Sequence, residues 1–153
     1  MQIDPNFSEF VGLLLDNDVR FLVVGGYAVA AHGHPRYTGD LDIWILISAE
    51  NAQRLLGALD AFGFASLGVT ADDFTHRNQV VQLGYPPLRI DLLTSLDGVR
   101  FDECYDRRLD VGLGDFTVPF IGLDDLKRNK QASGRPQDLA DLDALGIREE
   151  DEA

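Results

Sequence analysis

Residues 40–45 read Asp40-Leu41-Asp42-Ile43-Trp44-Ile45, an acid/apolar alternation suited to an extended strand. Successive side chains of a strand point to opposite faces, so Asp40 and Asp42 share one face while Leu41, Ile43 and Ile45 pack inward from the other. The Cα atoms of the two acids stand about 6.6 Å apart at the usual rise. Carboxylates so spaced can converge on divalent ions, which sit about 3.5–4 Å apart in two-metal sites. A solvated strand face is the plain alternative. If the extended backbone reaches back past Gly39, Arg36 and Thr38 join the acidic face, adding a phosphate partner and a hydroxyl.

Upstream, the apolar run Phe21-Leu22-Val23-Val24 ends at Gly25-Gly26, and the Ala-rich stretch Tyr27–Ala31 reads as a short helix starting at the glycines. Two glycines between strand and helix let a ligand approach the backbone closely and leave helix N–H groups pointing outward, a place for phosphate; a tight turn would use the same residues. Downstream, Asp91 interrupts the apolar strand Leu88-Arg89-Ile90-Asp91-Leu92-Leu93. Such an acid needs a partner. A metal shared with Asp40 and Asp42 would serve, and so would an ion pair with Arg89 or another cation.

The remaining periodicities predict helices over 7–15 and 49–62, and strands over 41–47, 80–83 and 89–93. A hairpin of 108–111 with 116–121 follows, and then two helices over 123–131 and 136–145. Interleaved strands and helices with a helical end indicate an α/β or α+β fold, a mixed sheet flanked by helices.

The chain of 153 residues has 26 acidic and 13 basic residues, for a net charge of −13. Proteins that grip duplex nucleic acid through phosphates concentrate Lys and Arg instead, so bulk nucleic acid is a poor partner. No apolar run approaches the roughly 20 residues that span a bilayer. Met1-Gln2-Ile3-Asp4-Pro5 lacks a basic flank and is not a secretory signal, and Cys104 has no second cysteine to bridge, so the cytoplasm is the expected location. His32-Gly33-His34 could chelate zinc but has no third ligand nearby in sequence, and reads as a loop pair. Tyr37 and Trp44 could stack on a base but read more simply as core or surface aromatics.

Taken together, Gly25-Gly26, the Asp40-x-Asp42 pair fourteen residues on, and Asp91 on a later strand resemble the DNA-polymerase-β-like nucleotidyltransferase superfamily. The form Arg36-x-Thr38-x-Asp40-x-Asp42, with the tail from Leu126 through Leu142, is similar to its small bacterial members, including the transferase toxins of abortive-infection systems. That resemblance implies one nucleotidyltransferase-like domain over 1–153, with a catalytic core over 1–121 and C-terminal helices over 122–147. It further implies Mg²⁺ or Mn²⁺ on Asp40, Asp42 and Asp91, and a nucleoside triphosphate such as ATP held by Gly25, Gly26, Arg36, Thr38, Lys127 and Arg135. The expected reaction transfers a nucleoside monophosphate to an acceptor hydroxyl: a small alcohol, a tRNA end or a protein side chain. Gly26 stands where many active members carry serine. A binding module or toxin–antitoxin component that kept the fold and lost turnover is the rival expectation.

Overall fold

The computed structural model describes residues 3–34, 39–64, 68–85 and 88–146. Arg36, Tyr37 and Thr38 therefore lie outside the described residues.

Helix α1 (Pro5–Asp16) starts at Asp4, whose carboxylate accepts the Asn6 N–H, with proline in the first turn where no donor is needed. Strand β1 (Phe21–Val24) follows and is buried along its whole length. An unbroken apolar run suits a strand covered on both faces. Helix α2 (Gly25–Ala31), strand β2 (Asp40–Ile45) and helix α3 (Ala49–Ala61) come next; the Ser48 hydroxyl accepts the Asn51 N–H at the start of α3. After a 3₁₀ turn at Ala71–Phe74 the chain forms β3 (Val80–Tyr85) and β4 (Leu88–Leu93). Helix α4 (Phe101–Asp106), the hairpin β5 (Leu109–Leu113) and β6 (Phe116–Phe120), and helices α5 (Leu123–Ser133) and α6 (Pro136–Ala144) complete it.

Six strands form one mixed sheet in the order β3-β4-β2-β1-β6-β5. The β1–β2, β3–β4 and β5–β6 pairs are antiparallel, whereas β2–β4 and β1–β6 are parallel. The expected mixed sheet flanked by helices is the fold found. Leu41 and Ile43 of β2 register with Ile90 and Leu92 of β4, and Ile43 and Ile45 with Val23 and Phe21 of β1. This apolar face belongs to the same core as Phe7, Phe10 and Leu14 of α1 and Leu55 and Leu59 of α3.

Several element limits differ from the sequence reading. Strand β2 begins at Asp40 and ends at Ile45, so both acids lie within the ladder. Helix α2, by contrast, starts at the glycines as expected. Helix α4 was not expected: Phe101, Cys104 and Tyr105 have helical spacing, but six residues are too few for a periodicity to stand out.

Candidate active site

The alternation in β2 places Asp40, Asp42 and Trp44 on the sheet face opposite the α1–α3 core. Trp44 is buried there against Phe101 of α4, ring centroids 5.1 Å apart, and is a core aromatic. Parallel pairing then fixes what faces the acids: Asp42 registers with Asp91, and Asp40 with Arg89. Neighbouring strands lie about 4.8 Å apart, so Asp42 and Asp91 are side by side. Val24 pairs with Asp42 from the other side, bringing the β1–α2 junction over the same carboxylate.

Gly25 is required at that junction. Its φ of +67° suits glycine, and a Cβ built there would collide with Asp42 Oδ2. The close approach was the expected use of Gly25-Gly26; here the approaching group is the chain's own Asp42.

The three carboxylates are not equivalent. Arg89 donates from Nε to Asp91 Oδ1 at 3.0 Å, and from one terminal nitrogen to Asp91 Oδ2 and Asp40 Oδ2, each at 3.2 Å. Among the described residues no donor reaches the Asp42 carboxylate. Burial, then the negative charges of Asp91 and Asp40, push the Asp42 carboxyl up to about 6, with Lys130 and Arg89 opposing. The same carboxylates hold the Arg89 guanidinium above its usual value, chiefly through its bonds to Asp91. Among the described residues no three His, Cys, Asp or Glu side chains form a ready metal cage. Arg89 draws Asp40 and Asp91 onto itself instead.

Oxygen-only donors at these positions suit a hard cation such as Mg²⁺ or Mn²⁺. The part-buried Asp42 beside Asp91, which no donor among the described residues meets, is the feature that fits one best: a carboxylate with an elevated pKa gains most from a cation.

The helical end brings cations to this face. Lys130 is buried on α5 and bonded to Asp138 at 3.2 Å and Asp141 at 3.1 Å, both buried on α6. Arg135 donates from Nε to Asp138 Oδ2 at 2.8 Å. Burial would raise the Asp138 carboxyl, but the bonds from Arg135 and Lys130 hold it below the ordinary range. Both cations feel the charge of Asp42. Lys127, the expected phosphate contact, lies three residues before Lys130 and is also buried, so the two share one face of the helix. The sequence reading missed Lys130, and it treated Arg89 as only one partner available to Asp91.

His32 Nε2 lies 2.9 Å from the Ile121 carbonyl oxygen and ties α2 to the end of β6. A cleft of about 190 Å³ opens past Trp44, between Thr94 and Arg100, and none of the three carboxylates lines it.

No helix among the described residues is long and apolar enough to cross a membrane. The sequence matches no protein-family model and no curated protein. The structure resembles a Thermotoga maritima protein provisionally designated a nucleotidyltransferase, with a TM-score of 0.58 and 14% identity over 99% of this chain and 97% of that one. It also resembles an antigenic nucleotidyltransferase-like protein of Paracoccidioides brasiliensis, with a TM-score of 0.53 and 19% identity over 92% of this chain and 74% of that one. At these identities the likeness is one of architecture, and the chain has a nucleotidyltransferase-like fold.

Proposed function

We propose that this protein is a metal-dependent nucleotidyltransferase that moves a nucleoside monophosphate from a nucleoside triphosphate to an acceptor hydroxyl. The observation that carries this reading is Asp42: part-buried, registered against Asp91, pressed beneath Gly25, and met by no donor among the described residues. Asp40, Asp42 and Asp91 are the residues to hold Mg²⁺ or Mn²⁺. When bound, the ions would neutralise phosphate charge and align the attacking and leaving oxygens. The acceptor hydroxyl oxygen attacks the α-phosphorus and gives up its proton to solvent, the bond to the bridging oxygen of the β-phosphate breaks, and pyrophosphate leaves.

The chain's own groups bind and orient. Gly25 and Gly26 present backbone without side chains to the phosphates. Lys127 and Arg135 approach from the helical end, and Arg36 and Thr38 precede β2 as further phosphate contacts. Holding reactants in line is the largest service such a site performs in phosphoryl transfer. Membership among the small bacterial abortive-infection-type transferases and a toxin–antitoxin setting are carried by the Arg36-to-Asp42 pattern and the tail alone, whereas a cytoplasmic location fits the single Cys104. The acceptor would be a small alcohol, a tRNA end or a protein side chain.

One observation favours a second reading. Arg89 already neutralises Asp40 and Asp91, so a module without turnover has a structural reason to keep both acids. Incubation with each labelled nucleoside triphosphate, Mg²⁺ and cell extract separates the two. The first reading expects label on an acceptor and release of pyrophosphate, both lost in Asp42→Asn; nucleotide binding with no transfer to any fraction would leave the second.

A further inference from the structure

Arg89 occupies an unusual position for a strand arginine. Its guanidinium lies between carboxylates from two strands, 3.2 Å from Asp40 Oδ2 and 3.2 Å from Asp91 Oδ2 through the same nitrogen, with Nε on the second Asp91 oxygen. The side chain is about 29% exposed, so it can swing out without breaking core packing. A planar guanidinium bonded to carboxylates is well ordered and always charged, and a divalent ion seeking the same oxygens competes with it for them.

We propose that Arg89 is a built-in cation that fills the place of a divalent metal between Asp40 and Asp91, and that metal binding moves it off both. This rests on the metal reading given above. Three consequences follow. First, the metal-free protein keeps two neighbouring acids on β2 and β4 neutralised, which two strands in register otherwise could not do without repulsion. Second, metal affinity without nucleotide is lowered, because the ion has to break the guanidinium's bonds. Third, the displaced guanidinium is a positive group released within one side-chain length of the carboxylates, where a nucleotide's phosphates would be held. Arg89 is thus a positioning residue for the metal and acts through Asp40 and Asp91.

Mn²⁺ binding, read by electron paramagnetic resonance at neutral pH, tests this without reference to turnover. Arg89→Met should bind Mn²⁺ at least tenfold more tightly than wild type, the scale of one lost charge-assisted bond, and Arg89→Lys should stay nearer wild type. Unchanged or weaker Mn²⁺ affinity in Arg89→Met overturns the proposal. Thermal melts establish that the variants fold. A measurement on unaltered protein stands beside them: the Arg89 Nε–H resonance should move away from its carboxylate-bound position on addition of Mg²⁺ with nucleotide, and a resonance that stays put also overturns it. Wild type that binds Mn²⁺ with ATP while Arg89→Met gains nothing removes only this inference. No Mn²⁺ binding by any form, with or without nucleotide, removes the metal reading as well.

Discussion

Asp42→Asn separates an acid kept for chemistry from one kept for structure. In the folded protein burial, then Asp91 and Asp40, raise this carboxyl from 3.8 to about 6. A two-unit rise corresponds to at most about 3 kcal/mol lost from folding when the group is ionised. The sign follows from proton counting. Above pH 6 the acid is ionised in both states and the full cost applies. Between pH 6 and 3.8 the folded chain holds its proton while the unfolded chain has released it, so stability rises as pH falls. Below 3.8 both states are protonated and the cost is gone.

Asparagine has nearly the same shape and no charge. The variant should therefore be about 1–3 kcal/mol more stable than wild type at pH 7.5, and the gain should fade to nothing as the pH falls below about 3.8. For a chain of this size each kcal/mol shifts the melting temperature by about 2–4 °C. Urea titrations of both proteins across this pH range, in chelator, give the difference directly, and carboxylates remote from Asp42 cancel. In the same preparation Mg²⁺ with ATP should raise the melting temperature of wild type and leave the variant unmoved. A variant less stable at pH 7.5, or a difference independent of pH, would refute the reasoning and make Asp42 structural.

Other positions give sharper contrasts. Lys127→Ala should weaken nucleotide affinity by roughly 1–3 kcal/mol in calorimetric titration with little change in metal binding alone, the scale of a charge-assisted hydrogen bond; unchanged affinity would return Lys127 to the scaffold. Lys130→Met leaves the buried Asp138 and Asp141 without their shared cation and should cost roughly 3–5 kcal/mol in urea denaturation, most of it recovered when both acids are also changed to Asn. Gly25→Ala forces a left-handed backbone on an L residue, at about 1–2 kcal/mol, and drives its methyl into Asp42, so it should lose both thermal stability and metal–nucleotide binding. Burial, then the nearby Asp125, push the Cys104 thiol up to about 12, so it should react with a thiol reagent at pH 8 only at the rate of unfolding; rapid labelling of native protein would contradict its burial.

Much of this arrangement was legible locally. The uninterrupted Phe21–Val24 run announced a strand covered on both faces, and the acids of 40 and 42 announced which face of β2 carries the candidate site. What one sequence does not carry is register between distant segments. Arg89 meets Asp40 only because β4 pairs parallel with β2 across an intervening helix and strand, and no local pattern specifies that Asp40 rather than Leu41 faces residue 89. The two α5 lysines show the same limit from the other side. Lys127 and Lys130 lie on one helical face, and only the packing of α6 assigns Asp138 and Asp141 to the second.

The charge pattern around the acidic face explains why metal and nucleotide should act together. Arg89 is engaged by Asp40 and Asp91, Lys130 by Asp138 and Asp141, and Arg135 by Asp138. A triphosphate brings about four negative charges to such a face, and cations already bonded to carboxylates can serve it only by exchange. Of these three, Lys130 is held in a buried network whose disruption is costly, and Arg135 is anchored at the start of α6. Arg89 differs, because a divalent ion competes for its own partners. If the ion takes Asp40 and Asp91, the guanidinium loses its partners at the moment the phosphates arrive. Nucleotide affinity should then depend on the metal by more than the metal's own contact with the phosphates, and by the reciprocity of linked equilibria nucleotide should tighten the metal by the same factor. In Arg89→Met that shared factor should shrink toward what metal and phosphate provide alone, even though the variant binds the bare ion more tightly.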